Sequence, residues 1–140
     1  MSPDIATAIS SLEDFADEPI DPSWIVAGAP QARVRHLSAG SAERTRVAVW
    51  ECTAGEFDWH YAVDEAVHLL VGEAQLRGAD GVSRTVRAGD VVLFHAGSSV
   101  HWVVPDYVKK LAVLHDVRSP LRRRAHALLG WLRGRRRPRR

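Results

Sequence analysis

Between Ala32 and His115 the chain alternates apolar and polar residues in short runs. Ala32 to Leu37, Thr45 to Glu51, Phe57 to Tyr61, Glu65 to Arg77, Val82 to Arg87, Val91 to Phe94, Val100 to Val104 and Val108 to His115 each read with a period of two or as a short apolar stretch. Turn residues divide them, as at Ser38-Ala39-Gly40-Ser41 and Gly78-Ala79-Asp80-Gly81. A period of two is the signature of a strand with one buried face, and many such runs without a long helical pattern predict an all-β sandwich or barrel. Closing the sheet into a barrel also removes exposed strand edges.

The two ends read differently. Ile5, Ile9 and Leu12 recur at helical spacing between Ile5 and Phe15, until Pro19 and Pro22 stop the pattern. Beyond Ser119-Pro120, Leu121, Ala125, Leu128, Leu129 and Leu132 fall on one helical face, with Arg122, Arg123, Arg124 and Arg133 around it. Ser119 as N-cap and proline at the first helical position mark the start of that helix, which is expected to end near Gly134. Three parts follow: an acidic extension over residues 1–23, a β-domain over 24–117, and a basic amphipathic helix with an arginine-rich end over 118–140.

Charge sharpens this division. Residues 1–117 hold all 17 Asp and Glu but nine of the 19 Lys and Arg, a net charge of −8, whereas 118–140 hold ten arginines and no acid. A basic amphipathic helix followed by arginines suits an anionic membrane surface, and the same charges suit nucleic acid without sequence preference. With 46% aliphatic and aromatic residues in 140, the chain is long enough to bury one core unaided. Cys52 stands alone, so no internal disulfide forms, and neither a secretory pattern nor an apolar run of about 20 residues appears. The expected location is cytoplasmic, with three readings open for the tail: packed on its own acidic barrel, laid on an anionic membrane surface, or bound to nucleic acid. A P-loop, a dinucleotide glycine fingerprint, a nucleophile elbow and a Cys-x-x-Cys pair are all absent from the sequence, which removes nucleotide-dependent and serine-hydrolase readings.

Two blocks in the β-domain carry candidate chemistry. The first is Gly55-Glu56-Phe57-Asp58-Trp59-His60 followed by Asp64-Glu65 and Gly72; the second is Gly89-Asp90, then His95-Ala96-Gly97 and His101-Trp102. They resemble the two motifs of the cupin family: a glycine, His-x-His, a glutamate and a glycine, then a glycine, Pro-x-Gly and a histidine. His60, Glu65 and Gly72 match the first, while Asp58 stands for its first histidine. In the second, His95 stands for the proline, and His101 falls one residue late with Val100 in the usual place. Trp50 to Gly55, Asp80-Gly81 and Lys110-Leu111 narrow the resemblance to single-domain cupins of the ethanolamine-utilisation and ureidoglycine aminohydrolase-like group.

That resemblance implies a jelly-roll β-barrel over residues 24–117, a homodimer, and a lumen that binds a small polar metabolite. Asp58 and His60 share one face of a strand, with Glu65 joining from the next strand and His101 from the facing sheet. Two histidines and two carboxylates make a mixed N/O set for one divalent ion of iron, manganese, nickel or zinc. Without metal, His60 and Glu65 form an acid/base pair, and Asp58, His95, His101 and Trp102 are the expected ligand contacts. Two functions stay open: a lyase, isomerase or hydrolase, or a non-catalytic ligand-binding or sensor cupin. The site requires His60 and Glu65 to face the same side of the sheet, and His68, on the opposite phase to Glu65, to face away.

Overall fold

The computed structural model describes residues 14–39 and 44–117. Nearly all of the helix expected over Ile5 to Phe15, and the whole basic segment after Val117, lie outside the described residues. Among these there are eight strands: β1 Ala16–Asp17, β2 Ile25–Gly28, β3 Ala32–Ala39, β4 Thr45–His60, β5 Asp64–Arg77, β6 Ser83–Arg87, β7 Val91–Phe94 and β8 Ser99–His115, with a 3-10 turn at Pro22–Trp24. They pair antiparallel in the order β1-β3-β4-β8-β5-β6, with β2 also on β4 and β7 also on β5.

β4 and β8 each join two of the runs visible in the sequence. The register of β4 against β8 slips between Thr53 and Gly55, and that of β5 against β8 slips between Gly72 and Gln75. Both slips fall opposite the stretch from Val103 to Val108, so the three long strands bend together and one sheet folds into two layers. β3 and β7 flank the first layer, β2 and β6 the second. The result is an antiparallel jelly-roll barrel, as the strand pattern predicts.

The two inner faces are packed with aromatic rings. Trp50 of the first layer meets Phe57, Trp59 and Trp102 of the second at centroid distances of 6.4, 5.8 and 6.4 Å, and Tyr61 stacks on Phe94 at 4.4 Å. Large rings each bury more apolar area than any aliphatic residue, and edge-on pairs add to that gain. Residues before Trp24 belong to the same wall. Ala16 pairs with Val34, the Glu18 N–H donates to the Ala32 carbonyl at 3.0 Å, Ile20 is buried in the core, and Trp24 packs edge-on against Trp59 at 5.3 Å.

Gly72 sits in the bend with φ of +80°, and a Cβ there would lie 1.9 Å from the Tyr107 carbonyl oxygen. Gly81 has a similar φ of +72° with open space around it, so the two positions separate backbone strain from collision. Gly81→Ala is expected to lose about 1–2 kcal/mol for the left-handed backbone alone. Gly72→Ala should lose more, at least about 3 kcal/mol, because the collision adds to that strain. Urea denaturation of both variants checks the order, and equal losses would mean that β5 does not approach β8 this closely.

Candidate functional site

The end of β4 decides what enters the lumen. Phe57 and Tyr61 are buried and Trp59 is half-buried, and all three rings touch the core cluster, so these odd-numbered positions point inward. Asp58 and His60, between them, point outward, where they pair in register with His101 and Ser99 of β8. Glu65 is buried on the same phase as the core residues Val67 and Leu69. The expected convergence of Asp58, His60, Glu65 and His101 in one cavity is therefore overturned: Glu65 alone of the four faces the lumen. Alternation holds within β4, but burial of three rings outweighs burial of an acid and an imidazole, which lose hydration inside.

The displaced residues have other partners. His60 is exposed, shares a hydrogen bond with Ser99 Oγ at 2.6 Å, and packs edge-on against Trp24 at 5.0 Å. His101 lies between two carboxylates on the outer face, Nδ1 2.6 Å from Asp58 Oδ1 and Nε2 2.8 Å from Glu56 Oε1. A neutral imidazole donates only one such bond, whereas an imidazolium donates both. His95 is exposed on the β7–β8 turn, where its carbonyl accepts from the Ser98 amide and hydroxyl. Trp102 is core: it is 1% exposed, stacks on Phe57 at 6.1 Å and donates from Nε1 to the Tyr61 hydroxyl at 3.2 Å. His68 is exposed and faces away from the core, on the opposite phase to Glu65.

The polar group that does face inward with Glu65 is Lys110 of β8. Its Nζ donates to Glu65 Oε1 at 2.5 Å, with both residues at most 5% exposed. The ammonium also lies over the Trp50 and Trp102 rings, 4.9 and 5.3 Å from their centroids, where the ring quadrupoles attract it. A cavity of about 60 Å³ opens beside this pair, walled by Trp50, Trp59, Ala48 and Ala112, with Glu18 and His36 also lining it. Trp50 Nε1 and Glu18 Oε2 are both buried without a hydrogen-bond partner. The sequence carried one signal for Lys110: it occupies the same phase as the apolar Val108, Ala112 and Leu114.

The model of the EutQ-like cupin domain matches residues 39–112, just over half of the chain. The chain belongs to the EutQ-like cupin family. A DUF861 family protein of unknown function from Pseudomonas syringae is similar at 30% identity and a TM-score of 0.68, covering 74% of this cupin and 45% of that chain. The Clostridium difficile EutQ protein is similar at 22% identity and 0.54, covering 62% and 64%. A protein described as a predicted oxalate decarboxylase from Thermotoga maritima follows at 19% and 0.60, covering 79% and all of that chain. The last two likenesses carry the fold alone, and this cupin spans less than two thirds of the length of the first two proteins. No curated protein matches it.

Cupins often hold a metal in the lumen, but the described side chains of this cupin do not fit one. Among the described residues no group of three or more His, Cys, Asp and Glu is placed to hold an ion. Inward positions at the end of β4 carry Trp59 and Tyr61, Val100 is inward in place of a second-motif histidine, and the Lys110 ammonium already pairs with the inward carboxylate of Glu65. On the outer face, both nitrogens of His101 are committed to carboxylates in different directions. The proposed acid/base partnership of His60 with Glu65 likewise lacks a shared face.

Two inward groups of this cupin stay uncharged. Burial, with the charge of Glu65 adding to it, pushes the Tyr61 hydroxyl well above its usual range. Burial pushes the Cys52 thiol up to about 12, against an opposing pull from Lys110. Since only the thiolate reacts, native protein at pH 8 should resist iodoacetamide, while protein in guanidinium should be alkylated fully, as read by mass. Equal labelling rates would contradict the burial of Cys52. The ion pair makes a second prediction. Lys110→Met strands a buried carboxylate and should lose about 3–5 kcal/mol, whereas Glu65→Leu with Lys110→Met should recover most of the loss. Denaturation of the single and double variants measures the difference.

Proposed function

We propose that this cupin binds a small polar molecule in its lumen without a metal, beside the Lys110–Glu65 pair. The observation that supports this reading is an ion pair buried on both sides at the wall of a cavity of about 60 Å³. Desolvating two charges costs more than packing two apolar residues in the same place, so the pair is poor stabilisation. Kept beside an open cavity with indole walls, it has the composition of a ligand site: apolar surfaces that exclude water and a few fixed polar groups.

Size restricts what enters. A cavity of about 60 Å³ holds about four waters, or one molecule of comparable volume. So few atoms set affinity in about the millimolar to micromolar range, by the ceiling on free energy per atom. Binding is the function assigned; the charges of the pair orient a polar guest rather than hold an ion.

Trp50 and Trp59 line the cavity, so occupancy is readable in tryptophan emission. Titration with acetate, glycolate, acetamide and hydroxyacetone at millimolar concentration should give a saturable change with at least one of them. Ala112→Leu, which fills the cavity, should abolish it with the melting temperature nearly unchanged. No saturable change with any of the four, or the same change in the filled variant, would overturn the lumen as the binding site.

A further inference from the structure

The outer face of the first layer carries an apolar patch that stands open among the described residues. Leu93, Ala66 and Val113 lie side by side on β7, β5 and β8, and Val91, His68 and Leu111 form the next row. These positions fall between the inward ones, so they point away from the core. Leu93 is 59% exposed, Val91 73% and Val113 37%; Val71, which pairs with Lys109 one row further on, is 47% exposed. Four of the seven exposed large apolar side chains among the described residues thus share one face, where a sheet is ordinarily covered or polar.

The β3 side of that face is already closed. The Phe15 ring centroid lies 5.5 Å from the Arg33 guanidinium carbon and 5.1 Å from Lys109 Nζ, and Asp14 pairs with Arg35 at 3.5 Å. Val49, on the ladder between Arg35 and Leu111, is fully buried there. The open side runs from β8 through β5 to β7, and the C-terminal segment starts at its margin. His115 pairs with both Thr45 and Asp64, and the Asp116 N–H donates to the Arg44 carbonyl at 2.8 Å. The chain therefore leaves β8 at a pinned point close to Val113.

We propose that residues 120–134 form a helix that lies across this patch, its leucine face on Val91, Leu93, Leu111 and Val113. Two apolar faces that are each unfavourable in water then cover each other, as a helix on a sheet does in layered domains. At about 1.5 Å per residue the segment is about 22 Å long, and strands β7, β5, β8 and β4 span about 14 Å at about 4.8 Å spacing, so one helix reaches across. Charge selects the same partner: residues 118–140 hold ten arginines, and residues 1–117 carry −8. The inference is independent of the lumen and of what it binds.

Spin labelling of the full chain tests this. On a helical projection Ala127 lies on the far side from the leucine face, and Cys52 is buried, so a nitroxide on Ala127→Cys reports on the helix without entering the contact. In isotopically labelled protein carrying the nitroxide, the amides of Ala66, Leu93 and Val113 should lose their NMR signal, while those of Ala27 and Glu56, in the second layer, keep theirs. Mixing isotopically labelled chain that lacks the nitroxide with unlabelled chain that bears it should cause no loss, which separates packing within one chain from packing on a second copy. Leu128→Gln with Leu132→Gln should restore the lost signals, and an otherwise unchanged amide spectrum shows that the barrel is folded. No selective loss, a loss that appears in the mixture, or one that survives both Gln substitutions would overturn the proposal. If the loss is absent and the chain instead sediments with phosphatidylcholine–phosphatidylserine vesicles, the leucine face serves a membrane and the proposal falls.

Discussion

Phe57, Trp59 and Tyr61 are packed inward against Trp50, Phe94 and Trp102, and because side chains alternate along a strand, their burial turns Asp58 and His60 to the outside. The pairing of β4 with β8 then carries the same phase across the sheet. Val100, Trp102 and Val104 point in, and His101 is left beside Asp58 on the outer surface. A single choice of face at the end of β4 thus replaces the usual nitrogen and oxygen donors of a cupin lumen with indole and phenol. The lumen that results is aromatic and nearly full.

Into that interior β5 and β8 place the Glu65 carboxylate and the Lys110 ammonium, on neighbouring strands and facing each other. In a medium of low dielectric their attraction is strong, but each has given up its hydration, and apolar side chains of the same volume would serve the fold at least as well. The ring faces of Trp50 and Trp102 share in holding the cation. The pair is a charge distribution fixed in place, the preorganisation on which the proposed binding of a small polar molecule would draw.

The fold was legible in the sequence because the long strands announce themselves by a period of two and most bends by glycine or proline, and because spaced residues of two motifs agree at once. The boundaries erred chiefly where β4 and β8 run through their bends as single strands. The site was much less legible. Counting residues from His60 to Glu65 crosses the turn after β4, and a turn of unknown shape erases the phase that the count depends on. Tyrosine and tryptophan add to the ambiguity, since they satisfy both a core position and a motif position. Lys110 was within reach, as a lysine on an apolar phase, but the position of Glu18 depends on a strand of two residues that no periodicity detects.

The order of strands also bears on how the barrel assembles. β4 and β5 follow each other in the chain with only Tyr61 to Val63 between them, a connection short enough for a hairpin, yet in the finished sheet they are not neighbours and, each antiparallel to β8, run parallel to each other. β8, the last strand of the barrel, lies between them in both layers. A local hairpin of β4 with β5 is therefore the natural early competitor during synthesis. Any such pairing has to open before β8 enters between the two strands.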